Sequence, residues 1–113
     1  MHELSLCGAI ADIATRRAGA RRVDAVHVRI GELRQVVPDT LAFCWSMVTA
    51  DTDLAGAALD IERVATVLHC RGCGAEHAMG ESVAFACASC GGLDVDIVAG
   101  EECLVTALDL TEV

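Results

Sequence analysis

Residues 70–90 read CRGCGAEHAMGESVAFACASC. Cys70 and Cys73 form one CxxC pair, thirteen residues follow, and Cys87 and Cys90 form a second pair. Two CxxC turns facing each other can close a tetrahedral four-thiolate site, which zinc accepts and which carries no redox chemistry of its own. Each pair is followed by glycine, Gly74 and Gly91-Gly92, which allows positive φ and lets backbone N–H groups approach sulfur. Four thiolates fill the zinc shell and leave no position for a substrate water, so the site is expected to be structural. The competing reading is two unrelated CxxC sequences, one of them a redox dithiol.

Working outward, 113 residues suffice for one modest domain or two very small ones. A segment of residues 65–98 buries little core by itself, and metal binding would supply its folding energy. Residues 1–64 and 99–113 must then form the hydrophobic body. Three of the seven cysteines, Cys7, Cys44 and Cys103, remain outside the metal site. The first ten residues have no basic n-region, so no signal peptide is expected, and no apolar run is long enough to span a membrane. A reducing cytoplasm is the expected setting.

Charge is distributed unevenly. Residues 1–34 hold six Arg and four acids, net +2, whereas residues 35–113 hold two Arg and thirteen acids, net −11. The chain lacks Lys and Tyr altogether. A zinc ribbon often points to nucleic acid, but this half would repel a phosphate backbone and offers no basic aromatic face. The acidity reads as a solvated surface, or one that meets a basic partner or a cation.

Hydrophobic periodicity places the elements. Leu6, Ile10 and Ile13, widened by Cys7 and Ala14, predict a helix over 4–18 that stops at Gly19. Val26, Val28 and Ile30 alternate with His27 and Arg29, which predicts a half-buried strand over 23–30. Residues 32–37 read as extended chain or loop. Pro38 opens a second helix whose inner face is Leu41, Cys44, Trp45 and Val48, with Phe43 and Met47 extending it sideways. A second strand covers 58–62 and is expected to run on through Val64 and Val67. The last strand places Leu104, Thr106, Leu108 and Leu110 on one side and Cys103, Val105 and Asp109 on the other. The fold class that satisfies this order is α+β: a small mixed three-stranded sheet, two helices on one face, and an inserted four-cysteine zinc ribbon. The strand ending near Leu68 and the strand starting near Ile97 are expected to be antiparallel neighbours. His27, Arg29 and Glu62 should point to the wetter face.

No nucleotide P-loop, no GxSxG and no HExxH occurs, so nothing points to an enzyme. Cys7, Cys44 and Cys103 read as small buried hydrophobes, His27 as a surface or bridging histidine, and His69 and His77 as solvated loop residues beside the first knuckle, the competing reading being donors to the cysteine sulfurs or replacements for a cysteine. His2 differs by position. A histidine next to the amino terminus can chelate through its imidazole and its own backbone nitrogen, with the terminal amine, or the amide and carboxylate of Glu3, completing four donors. Nickel(II) and copper(II) favour such nitrogen-rich sites. The competing reading is a solvated chain start.

M-H-E-x-S-L at residues 1–6, V-x-V-x-I-G-E at 26–32, P-D-x-L at 38–41, the two CxxC pairs, and Gly100 with Glu102 before the last strand together resemble the HypA/HybF family of nickel metallochaperones of hydrogenase maturation. The similarity runs the length of the chain. It implies Ni(II) as cargo, bound by the His2 imidazole and the backbone nitrogens of His2 and Glu3, with the Glu3 side chain assisting. It also implies structural Zn(II) on Cys70, Cys73, Cys87 and Cys90. The implied partners are a maturation GTPase and the hydrogenase large subunit, with urease maturation proteins as further clients of some members. A monomer or homodimer is expected, with no nucleic acid and no membrane. The second knuckle is C-A-S-C where many members carry C-P-x-C, and Asp39 is the candidate for an acidic residue near nickel. The ribbon taken alone would instead suggest an adaptor for nucleic acid or transcription machinery, or a thiol redox protein using a CxxC.

Overall fold

A computed structural model describes residues 2–79 and 85–112. The chain divides into two compact units. The first comprises Met1–Arg29, Val36–Glu62 and Leu104–Val113, the second Ile30–Gln35 and Arg63–Cys103. The fold is α+β, with two helices and two small sheets.

Helix α1 runs His2–Ala18 and helix α2 Pro38–Thr49. Helix α1 buries Cys7, Ile10, Ala14 and Ala18, whereas Leu6 of the expected stripe is half-buried and Ile13 is exposed, so the inward face runs along the small residues expected only to widen it. Gly19 ends it at φ 61°, a left-handed conformation in which glycine meets no Cβ penalty. The Arg21 guanidinium donates to the carbonyls of Ala18 and Arg17, each at 3.1 Å, and so covers orphan acceptors of the last turn. Pro38 starts α2 as anticipated, because its missing N–H is one the first turn would leave unpaired anyway.

Strands β1 (Arg22–Gly31), β2 (Ala58–Val64) and β6 (Cys103–Thr111) form one sheet in the order β2-β1-β6. β1 buries Val23, Val26 and Val28, and these residues share a core with the helix stripes, Leu41, Trp45, and the loop residues Leu54 and Ala57. Trp45 satisfies its indole N–H on the Ala57 carbonyl at 2.9 Å, which ties α2 to the loop behind it. β6 departs from strict alternation: Val105, Leu108 and Leu110 are half-buried while Leu104 and Thr106 are exposed, so the inward phase slips by one residue after Val105.

The outer face of this sheet carries His27, with Nδ1 2.8 Å from Asp60 and Nε2 3.0 Å from Asp109. One imidazole on the central strand thus bridges a carboxylate on each flanking strand. Arg29 pairs with Glu62 beside it at 3.4 Å. The hydrogen bonds to Asp109 and then Asp60 raise the His27 pKa above its ordinary value of 6.5. A group whose pKa is higher in the folded state contributes its stability fully below the unfolded value and loses it as pH rises through the folded value. His27→Gln is therefore expected to lower the melting temperature most below the ordinary histidine value of 6.5, with the difference shrinking as pH rises through the raised His27 pKa. A difference that grows with pH would contradict the bridge.

In the second unit, β3 (Val67–Cys70), β4 (Glu76–Ala78) and β5 (Val95–Ala99) form a sheet in the order β4-β3-β5. β3 and β5 are antiparallel, with Leu68 opposite Ile97, as their spacing required. β2 and β3 are separate strands, however, not one continuous run: the ladder breaks at Ala65-Thr66, where the buried Thr66 accepts from Met79 N–H through its carbonyl at 3.0 Å. Within the stretch expected to be extended chain or loop, Glu32–Arg34 forms a single 3-10 turn, closed by Gln35 at φ 56° with its N–H on the Glu32 carbonyl. That turn lies against the approach to β6: Gly31 N–H donates to the Glu102 carbonyl at 2.7 Å and Leu33 N–H to the Gly100 carbonyl at 2.8 Å.

Candidate metal centres

The CxxC turns are built by their own backbone. Cys70 ends β3, and its carbonyl accepts from Gly74 N–H at 2.8 Å, while the Cys87 carbonyl accepts from Gly91 N–H at 2.9 Å. Gly74 and Gly91 close these turns at φ 79° and 74°. Each turn aims N–H groups at sulfur: Cys73 N–H at Cys70 Sγ, Cys90 N–H at Cys87 Sγ and Gly92 N–H at Cys90 Sγ, all at 3.4 Å. Arg71 holds the two halves in register from outside, reaching Asp94 at 2.6 Å and Asp96 at 2.7 Å across the sheet.

The four sulfurs converge, all within 4.8 Å of one another, with Cys70–Cys90 at 3.7 Å and Cys73–Cys87 at 3.5 Å. A tetrahedron of ligands about 2.3 Å from a zinc ion has edges of about 3.8 Å. All seven cysteines are free thiols. The donor set, spacing and N–H···S bonds fit a closed structural zinc site, and the ion would link turns that otherwise have little apolar core between them.

Crowding thiols splits their proton affinities. Cys87 is drawn down to about 6 by the N–H groups of Cys90 and Ser89 and by its neighbour Cys73. Cys73 is pushed up to about 11: the Ala75 N–H pulls it down, but hydrogen bonds to Cys87 and Cys70 outweigh that pull. Metal binding needs all four as thiolates and so releases protons.

The histidines near this cluster correct their sequence reading. His69 and His77 lie on strands β3 and β4, not in solvated loops. His69 Nδ1 is 3.2 Å from Glu76. Half-buried His77 reaches the second knuckle through Nε2, which lies 3.1 Å from the Ala88 nitrogen and 3.3 Å from the Ala86 carbonyl oxygen. Nothing in sequence spacing signals that this ring braces the second knuckle. Cys103 is exposed, not a buried hydrophobe, because it opens β6 at its edge-facing start. Cys7 is buried and donates to the Leu41 carbonyl at 3.3 Å, its pKa pushed up to about 11 by burial first and then by Cys44. Cys44 is half-buried.

At the other end of the chain, His2 and Glu3 form the first turn of α1. The His2 side chain is 58% exposed and that of Glu3 13%, with His2 Nε2 3.8 Å from Glu3 Oε2. The Glu3 carboxylate accepts the Val37 N–H at 3.3 Å, at the residue that caps α2. That bond, and one from its own N–H, lower the Glu3 pKa. Asp39 follows two residues later in the first turn of α2, exposed. The Glu3–Val37 contact spans 34 positions in sequence and has no local signature.

The family model described as hydrogenase/urease nickel incorporation, metallochaperone, hypA matches residues 1–110. The chain belongs to the HypA family. A hydrogenase maturation factor HypA of Geotalea uraniireducens is 46% identical over 110 residues, covering 97% of this chain and 99% of its relative. The HypA factor of a Nostoc species is 33% identical over 113 residues, covering 100% of this chain and 98% of its own. The solution structure of the nickel metallochaperone HypA from Helicobacter pylori has a TM-score of 0.67 at 19% identity, covering 97% of both chains, so the fold is shared. The zinc-ribbon body plan expected from the CxxC pairs is thus the HypA plan.

Proposed function

We propose that this chain is a nickel metallochaperone that binds Ni(II) at its amino terminus and delivers it for assembly of the [NiFe]-hydrogenase active site. The observation that carries the reading is the His2-Glu3 pair in the opening turn of α1, in a chain that belongs to the HypA family. The first four N–H groups of a helix have no intrahelical acceptor. Nickel can therefore take the backbone nitrogens of His2 and Glu3 without breaking the helix ladder, and the exposed His2 imidazole adds a third nitrogen. Nitrogen donors suit nickel and leave it separated from zinc by ligand type: zinc keeps the thiolates Cys70, Cys73, Cys87 and Cys90. Glu3, anchored on the Val37 N–H, holds the chain start against α2 and adds negative charge beside the cation.

A carrier must also release its cargo. Donors at an exposed helix start can be replaced one at a time by an incoming ligand set, whereas a closed thiolate cage exchanges slowly. We assign nickel handling to a body of residues 1–64 and 99–113 and the ribbon role to residues 65–98. The partners that fit are a maturation GTPase and the hydrogenase large subunit, met in a reducing cytoplasm. No helix of the described residues is long and apolar enough to cross a membrane. The nucleic-acid adaptor reading has no support, and the thirteen acids against two Arg of residues 35–113 oppose it.

The test is nickel titration of untagged protein with parallel metal analysis. His2→Ala is expected to abolish stoichiometric nickel binding and to leave zinc at one per chain. Nickel affinity retained in that variant would sink the assignment.

A further inference from the structure

Helix α2 is apolar on both sides. Its inner face buries Leu41 and Trp45, yet its outer face carries Phe43, 65% exposed, and Met47, 52% exposed, one turn apart. A helix apolar all round is normally covered all round, and a rigid aromatic next to an adaptable thioether is a common docking pair. The ends of this strip are acidic. Asp39 lies one turn before Phe43, and exposed Asp51 and Asp53 follow the carboxyl end of α2, where no basic residue offsets the helix dipole.

These three acids stand apart from the others of the same unit. Asp12 pairs with Arg16, Asp24 with Arg22, Glu62 with Arg29, and Asp60 and Asp109 with His27. Among the described residues Asp39, Asp51 and Asp53 make no ion pair, and in this unit only Glu112 shares that state. Unneutralised charge and uncovered apolar surface therefore coincide on one helix.

We propose that the outer face of α2 docks a basic amphipathic helix of a partner protein, one with an apolar i, i+4 pair flanked by Lys or Arg about a turn beyond each end. A helix is the natural cover for a helix, ridges into grooves, and α1 already occupies the opposite side of α2. A second copy of this chain is the poorer occupant. A two-fold contact centred on Phe43 and Met47 would bring the uncompensated acids of one copy toward those of the other. This inference does not require nickel binding, although Asp39 is also the candidate acidic residue near nickel.

The test uses an 18-residue helical peptide of Leu and Lys built to that pattern and the same peptide with Glu for Lys, titrated into the full chain by calorimetry and amide NMR. The Lys peptide should bind with shift changes confined to residues 38–53, and weaken between about 50 and 300 mM salt. Phe43→Ser with Met47→Ser, which leaves net charge unchanged, should cost about tenfold or more in affinity. Asp39→Asn, Asp51→Asn and Asp53→Asn together should weaken binding and flatten its salt dependence. Unchanged melting temperatures would show that the exposed substitutions leave the fold intact. Equal affinity in the Ser variant, equal binding of the Glu peptide, or shift changes centred on another face would overturn the proposal. So would a concentration-dependent dimer, seen by light scattering, that the Ser variant abolishes.

Discussion

Stripping zinc with a strong chelator, or replacing Cys87 with Ala, is expected to collapse the ordered amide spectrum of residues 66–79 and 85–103. Among its described residues the unit has few buried side chains: Leu68, Thr66, Ile30 and two of the cysteines themselves, Cys70 and Cys87. Its sheet has strands of four, three and five residues, too short to stand alone. Zinc binding to comparable small sites supplies about 10–16 kcal/mol at neutral pH, far more than this core could. The measurement is zinc per chain by elemental analysis alongside an amide NMR spectrum. Dispersed, protected signals for Leu68 and Ile97 in metal-free protein would refute a metal-dependent fold. The sign of the pH dependence follows from the thiols. Cys73 lies well above neutrality at about 11 without metal, so its proton must leave on loading, and acidification should weaken zinc retention.

Gly31→Ala is the second large effect. A Cβ at Gly31 would stand 2.0 Å from the Gly100 oxygen, 2.1 Å from its carbonyl carbon and 2.5 Å from the Glu101 nitrogen. All three are backbone atoms, so no rotamer change relieves the clash. Moving the strands apart strains the Gly31–Glu102 and Leu33–Gly100 hydrogen bonds. Overpacking costs about 1–3 kcal/mol and each of the two strained hydrogen bonds about 0.5–1.5, for a total of roughly 2–6 kcal/mol. Chemical denaturation gives the number, and a loss below about 1 kcal/mol would show that the approach relaxes cheaply. Gly100 cannot move to accommodate: at φ 115° it already faces Thr66, whose Cα lies 2.8 Å from where a Gly100 Cβ would be.

These two expectations differ in how visible they were beforehand. The zinc cage was legible because its donors sit in two local turns, and CxxC spacing with a following glycine is a local property. The helices and β1 were legible for a similar reason: burying one face imposes a period of 3.6 or 2 that survives in the sequence. The 3-10 turn at Glu32–Arg34, the break between β2 and β3, and the β6 phase slip were not legible. Each is set by where distant backbone comes to lie, as Gly31 against Gly100 and Thr66 against Met79 illustrate.

The same division runs through the candidate sites. The sequence by itself determined the four thiolates, the two amphipathic helices and, through V-x-V-x-I-G-E and its companion motifs, the family, and it offered His2-Glu3 as the nickel candidate. Only the tertiary structure decided why that motif needs glycine at 31, that Glu3 ends on the Val37 N–H, that His77 braces the second knuckle, and that His27 joins Asp60 to Asp109. The reason is physical. Ligand chemistry and hydrophobic period depend on residues a few positions apart, whereas a backbone approach or a bridged carboxylate depends on residues from 9 to 82 positions apart, which no local pattern encodes.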